Sequence, residues 1–282
     1  MPSNNVHWFP GHMNKALKEI EEKIKLVDVV IELFDARAPF SSQNYFLENA
    51  IKNKKKLVIL TKSDLADPNE TKLWEAKLKK EFDYLIVMNL LDNKIENVLS
   101  KAIFELGKEK RNKDLARGMK PQPIKTMIVG IPNVGKSSLI NKLAKRKAAG
   151  VQNKPGFTRG EQWIKVSNDF ILLDTPGILP MNYDDSKKAI NLGLIGCVKE
   201  DVLPKHILLE NLLNIFRKQY PNALKLRFEI ETIGADEEVL KEIALKRKLL
   251  ESNENLDLQR AESLLLKEFK EGKLGRFTLE KA

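Results

Sequence analysis

A chain of 282 residues is long enough for about two domains, each burying its own core. With 42% hydrophobic and 31% charged residues, its composition is that of a soluble globular protein, and no apolar run approaches the roughly 20 residues of a membrane span. One cysteine excludes an internal disulfide, and the net charge of +10 with a pI near 9.4 points to a polyanionic partner, RNA or DNA.

A lysine-rich composition with solvated runs such as Lys54-Lys55-Lys56 accounts for the same charge without a partner. Met1 to Trp8 contain no basic segment followed by an apolar one, so no secretory leader is expected and the cytosol is the expected compartment. Neither an amphipathic anchor nor a lipidation motif is visible. Cys197 sits in the apolar run Leu192–Val198 and reads as an inert packing residue.

In chain order, Met13–Val27 carries Ala16, Leu17, Ile20 and Ile24 on one stripe, which predicts an amphipathic helix. Val29–Phe34 is a nearly continuous apolar run ending at Asp35, as suits a buried parallel strand. Leu57–Leu60 and Tyr84–Met88 repeat the pattern, with helices expected around Gln43–Asn53 and Glu70–Phe82. A further helix over Ile95–Glu109 leads into the charged stretch Lys110–Lys113, read with Pro121-Gln122-Pro123 as a linker. Thr126–Val129 is then a strand and Lys136–Ala144 a helix. Arg146–Gly160, rich in Lys, Gly and Asn, reads as a loop, and Gln162–Val166 with Phe170–Leu173 as a hairpin. Strand signals stop after about Ile195, where His206–Lys218, Glu237–Leu250 and Leu258–Glu271 predict helices. The expected fold is α/β, a mostly parallel sheet with helices on both faces (residues 1–194), followed by an α-helical domain (195–282).

Between the predicted strand and helix, Gly130-Ile131-Pro132-Asn133-Val134-Gly135-Lys136-Ser137 fits G-x-x-x-x-G-K-[ST]. Gly130 and Gly135 let backbone N–H groups close around phosphates at a helix N-terminus, Lys136 reaches the β- and γ-phosphates, and Ser137 is the expected Mg²⁺ ligand, with Ser138 by the α-phosphate. Asp174 in Asp174-Thr175-Pro176-Gly177 suits a second Mg²⁺ ligand, with Gly177 meeting the γ-phosphate; alone, the four residues would be an ordinary turn. Thr158 is the candidate switch residue completing Mg²⁺ coordination, or else part of a plain loop.

The base preference is read from Thr61-Lys62-Ser63-Asp64 at the end of a strand. The Asp64 carboxylate can accept from both N1–H and the exocyclic amine of guanine, whereas adenine presents an acceptor at N1. Lys62 would lie across base and ribose. The alternative is a helix cap by Ser63 or Asp64. Thr61 stands where Asn is commoner, which should weaken one contact, and Asn89 and Leu90 are the expected second base-side segment although the usual Ser-Ala pair is missing. A P-loop ATPase is disfavoured by Asp64.

The order base tetrad, phosphate loop, switch threonine, Asp-Thr-Pro-Gly, together with Trp8-Phe9-Pro10-Gly11-His12-Met13 and Asp35-Ala36-Arg37-Ala38-Pro39, resembles the circularly permuted GTPases of the YlqF/YawG family across nearly the whole chain. The resemblance implies a P-loop GTPase fold with permuted motif order. It also implies GTP/GDP and Mg²⁺ as ligands, a cytoplasmic location, and a role on the maturing large (50S) ribosomal subunit, rRNA and ribosomal proteins included, late in its assembly; a monomer is only the default expectation. It makes His12 a catalytic candidate beside Lys136 and Thr158, since Ile178 occupies the place of the water-orienting glutamine; the alternative for His12 is docking. It also makes Asn133, next to Val134 in the loop, a candidate K⁺ ligand. The competing reading is an RNA-binding assembly scaffold in which GTP is structural.

Overall fold

The computed structural model describes residues 10–44, 48, 50–92, 94–145, 163–173, 186–198, 203–231, 234–252 and 254–282. The apolar runs become strands β1 (Val29–Asp35), β2 (Lys55–Thr61), β3 (Tyr84–Val87), β4 (Ile124–Gly130), β5 (Trp163–Lys165) and β6 (Phe170–Leu173). They form one sheet of order β3-β2-β1-β4-β6-β5, parallel except where β5 runs antiparallel to β6. All seven residues of β1 are buried, because both faces of the sheet are covered.

The alternation of side chains along β1 sorts the two faces. Val29, Ile31 and Leu33 join the cluster containing Leu99, Ala102 and Ile103 of helix α3 (Ile95–Leu106), together with Leu139 and Leu143. On the other face Val30 meets Ile20 and Ile24 of α1 (Pro10–Lys25), while Phe34 meets Trp74 and Leu78 of α2 (Pro68–Leu78). Helix α2 begins where its sequence allows: the Asp67 side chain accepts from the Asn69 amide at 2.8 Å, and Pro68 occupies the first turn, where its missing N–H costs nothing. Truncating a fully buried Leu99 to Ala should cost about 2–5 kcal/mol.

The charged stretch expected to be a linker is instead helix α4 (Lys108–Ala116). Its charges find partners at helical spacing, Lys108 with Glu105 and Lys113 with Glu109. Two others tie it to the sheet's rim, Lys110 to Asp28 at 2.6 Å and Arg111 to Asp169 at 3.2 Å. The connection without regular structure is shorter, residues 117–123. Of the helix expected over Gln43–Asn53, residues 43 and 44 are not helical, whereas 48, 50 and 51 are.

Helix α5 (Lys136–Lys145) leaves the phosphate loop, and α6 (Ser186–Leu194) follows the sheet. Beyond them lie α7 (Lys205–Gln219), α8 (Lys225–Phe228), α9 (Asp236–Arg247) and α10 (Leu258–Lys270). Helix α6 packs on α7 and α10, and one hydrophobic cluster runs from the sheet into these helices without a break. Phe277 anchors the end of the cluster, its ring centroid 5.0 Å from those of Phe216 and Tyr220.

Topology decides where a ligand can sit. The chain leaves β1 towards β2 and β3 on one side, and β4 lies on the other with β6 beyond it. In the parallel register Asp35 is opposite Thr61 and Leu33 opposite Gly130. The ends of β1, β2 and β4 therefore share one rim, and the switch point between β1 and β4 opens a crevice there.

Candidate nucleotide site

The phosphate loop links β4 to α5 across that crevice. Gly130 has φ +150°, and a Cβ there would lie 2.9 Å from the Leu33 carbonyl oxygen; Gly135 has φ +112°, and its Cβ would meet Leu90 at 2.5 Å. Only glycine fits either place. Asn133 also takes a left-handed conformation, φ 57°, and its amide donates to the Gly196 carbonyl at 2.8 Å. Lys136 is 7% exposed, with Nζ donating to the carbonyls of Gly130 at 2.8 Å and Ile131 at 2.5 Å. Burial of its ammonium brings its pKa down to about 8. Ser137 and Ser138 are exposed in the first turn of α5, where the positive end of the helix dipole favours anions.

The expected base-side loop starts at the end of β2. The buried Thr61 hydroxyl lies 3.0 Å from the Phe34 carbonyl and 2.7 Å from the Val134 carbonyl, so it fastens this loop to the phosphate loop. Beyond it Lys62 has φ 54°, and its Nζ pairs with Asp35 Oδ2 at 2.9 Å. A cavity of about 530 Å³ brings Lys62, Asp64, Asn89 and Leu90 together with Gly135 and Ser138. Leu91, Asn141 and Lys142 complete its wall. Thr61, Ser63, Asn133, Val134, Lys136 and Ser137 do not line this cavity.

Asn141 and Lys142 were not singled out from the sequence. A signal existed, since they follow Ser138 by three and four residues on α5 and so share its face. Lys142 Nζ donates to the Leu90 carbonyl at 3.0 Å, which fixes the Asn89-Leu90 segment against α5.

A second omission is the ion cluster behind the cavity. Asp35 is 0% and Arg37 2% exposed. Arg37 meets both carboxylate oxygens of Asp35, Nε to Oδ1 at 3.0 Å and Nη2 to Oδ2 at 2.8 Å. It also donates to the carbonyls of Ile195 at 3.0 Å and Lys270 at 3.2 Å. Burial alone would raise the Asp35 pKa, but the charges of Arg37 and Lys62 outweigh it and hold the group at about 2. One carboxylate thus links Lys62 to an arginine that grips the helical region. Nearby Cys197 is buried, and burial followed by the Asp35 charge pushes its thiol up to about 12, in keeping with an inert packing role.

His12 falls within α1, but its side chain lies outside the described set, as do Thr158, Asp174, Gly177 and Ile178. Of the three expected Mg²⁺ ligands, only Ser137 is described. Among the described residues no group of three or more His, Cys, Asp or Glu side chains could hold a metal, and no helix is long and apolar enough to cross a membrane.

A family described as 50S ribosome-binding GTPase matches residues 125–220. Ribosome biogenesis GTPase A of Bacillus cereus is 41% identical over 98% of this chain and 93% of its own length. Its namesake from Thermotoga maritima is 32% identical, over 98% of this chain and 94% of its own. Among solved structures, a GDP-bound YlqF gives a TM-score of 0.70 at 29% identity, covering 93% of this chain and 98% of that one. GNP-bound YlqF from T. maritima gives 0.67 at 28%, covering 95% and 98%. Fold and site together define a GTP hydrolase of the phosphate-loop class, its phosphate strand β4 coming after β1, β2 and β3 in the chain, and that class binds GTP or GDP with Mg²⁺. The chain belongs to the ribosome biogenesis GTPase A family.

Proposed function

We propose that this GTP hydrolase binds the maturing large (50S) ribosomal subunit through its helical region (195–282) and uses hydrolysis in a late assembly step in the cytoplasm. The observation that carries the reading is a basic cleft of about 300 Å³ between α7 and α10, lined by Lys205, Lys267, Lys270, Ser263 and Glu271 with Leu208 and Leu266. Three lysines around one cleft suit the phosphates of an RNA backbone. Lys270 is also the residue whose carbonyl Arg37 holds, so the cleft adjoins the ion cluster that ends at Lys62.

In this reading Lys62 and Asp64 take the guanine, with Asn89 and Leu90 closing the base side. The backbone around Asn133, Val134 and Gly135 surrounds the phosphates. Phosphate oxygens are stronger acceptors than the two carbonyls that Lys136 now serves, and its ammonium moves to them. Ser137, Thr158 and Asp174 would hold Mg²⁺, which would supply charge neutralisation at the phosphates. Gly177 contacts the γ-phosphate, and Ser138 lies at the α-phosphate. Because Ile178 can neither donate nor accept a hydrogen bond, water orientation falls to His12, and a K⁺ that Asn133 would help hold would add positive charge.

Ile178 also favours the second reading, an RNA-binding assembly scaffold in which GTP is structural. Turnover of GTP with purified large subunits, small subunits and neither separates the two. A rise of at least tenfold with large subunits alone supports the enzyme reading. Unchanged slow turnover with intact subunit binding supports the scaffold.

A further inference from the structure

Residues 276–281 lie back across the loop that follows β2. Arg276 Nη2 donates to the Ser63 carbonyl at 2.8 Å, and its Nε to the Ala66 carbonyl at 2.9 Å. The Phe277 amide donates to the Leu65 carbonyl at 3.0 Å, and the Asp67 amide donates to Thr278 Oγ1 at 3.2 Å. Two consecutive residues of this segment therefore serve three carbonyls of the loop. The loop itself contains a turn from the Leu65 amide to the Lys62 carbonyl, 2.9 Å. It also contains Lys62 in a left-handed conformation, φ 54°, which costs a non-glycine residue free energy that neighbours must offset.

The segment is itself fastened on two sides. Its Leu279 amide donates to the Arg37 carbonyl at 2.7 Å. The Glu280 carboxylate accepts from the amides of Phe40 at 2.7 Å and Ser41 at 3.0 Å, and from the Asn191 side chain of α6 at 3.1 Å. Trp74 Nε1 donates to the Glu280 carbonyl at 3.2 Å. Phe277 is seated among the aromatic rings of the helical region. The segment thus joins those helices to Ser63, Leu65 and Ala66, on either side of Asp64.

We propose that the 276–281 segment, through Arg276, positions the base-side loop, so that the seating of the helical region sets how tightly and how selectively guanine is held. The inference rests on the assignment of Lys62 and Asp64 to the base. Arg276 is a positioning residue, since it touches the loop and not the cavity. By linkage, guanine nucleotide must in turn stabilise the seated segment.

The test compares the full chain with Arg276→Ala and Arg276→Lys, using GDP and IDP, which lacks the exocyclic amine that Asp64 would bind. Arg276→Ala should speed GDP release about tenfold, in line with loss of two hydrogen bonds to the loop, and should narrow the GDP-over-IDP preference. Arg276→Lys, able to serve one carbonyl, should recover part of both. In the parent chain GDP should slow hydrogen exchange at the Phe277 amide. A preserved GDP-over-IDP preference in folded Arg276→Ala overturns the proposal, as does exchange at Phe277 unaltered by GDP. Equal affinity of the parent for GDP and IDP removes the base assignment itself, and the proposal with it.

Discussion

Replacing Asp35 by asparagine should unseat both the base-side loop and the helical region, because one buried carboxylate serves both. In the folded chain Asp35 is held at about 2 against an ordinary 3.8, a stabilising contribution on the order of 2 kcal/mol at neutral pH. The sign follows from a depressed folded pKa: the contribution is complete above the unfolded value and is lost as pH falls from about 3.8 through about 2. The Asp35→Asn side chain would keep one acceptor for the Arg37 Nε but turn an amide donor toward Arg37 Nη2 or Lys62 Nζ. Arg37, only 2% exposed, would be left without a counter-charge, so the full cost should reach about 3–5 kcal/mol. Equilibrium urea denaturation of parent and variant at pH 7 and again near pH 3 measures it. The gap between them should be largest at pH 7 and shrink at pH 3. Adding Arg37→Met to Asp35→Asn should recover part of the loss, since no uncompensated charge then remains. A variant within about 1 kcal/mol of the parent, or a gap independent of pH, would refute the assignment of this pair as the fastening of the site.

Other consequences follow from the same geometry. Lys136, with a folded pKa of about 8, binds fewer protons than the unfolded chain between about 8 and its ordinary 10.5, so its contribution makes nucleotide-free stability rise with pH across that window. Phosphate restores its proton, and GDP binding above pH 8 should take up a proton, read by calorimetry in buffers of different ionisation enthalpy. Cys197 should resist thiol reagents in the native state and react at once on unfolding; rapid native reaction would contradict its burial. Turnover should be faster in K⁺ than in Na⁺ at matched ionic strength, and equal rates would remove Asn133 from a cation site.

Much of the fold was legible because its strands are short apolar runs and its helices carry a single buried stripe. The run Val29–Phe34 and the stripe at Ile20 and Ile24 both lie where periodicity placed them. The phosphate loop was legible for a different reason: Gly130 and Gly135 are demanded by backbone geometry that other residues cannot adopt. Helix α4 was not, since its pattern is charge pairing rather than burial, and none of its residues is buried. The wall formed by Asn141 and Lys142 needed the register of α5 against Leu90, a tertiary fact. The 276–281 segment has no period at all. The hydrogen bonds of Arg276 run to residues more than 200 positions earlier, so nothing in the segment's own sequence announces where it lies.

The central claim is that one guanine nucleotide is held between Lys62-Ser63-Asp64 and a phosphate loop that follows it in the chain. Asp64→Asn tests it most directly. Guanine offers two donors to a carboxylate, whereas xanthine offers N1–H and a carbonyl, which suit an amide. The variant should lose GDP affinity about 100-fold, as expected when two charge-assisted hydrogen bonds are lost, and gain XDP. Unchanged GDP affinity in a folded Asp64→Asn chain would contradict the account.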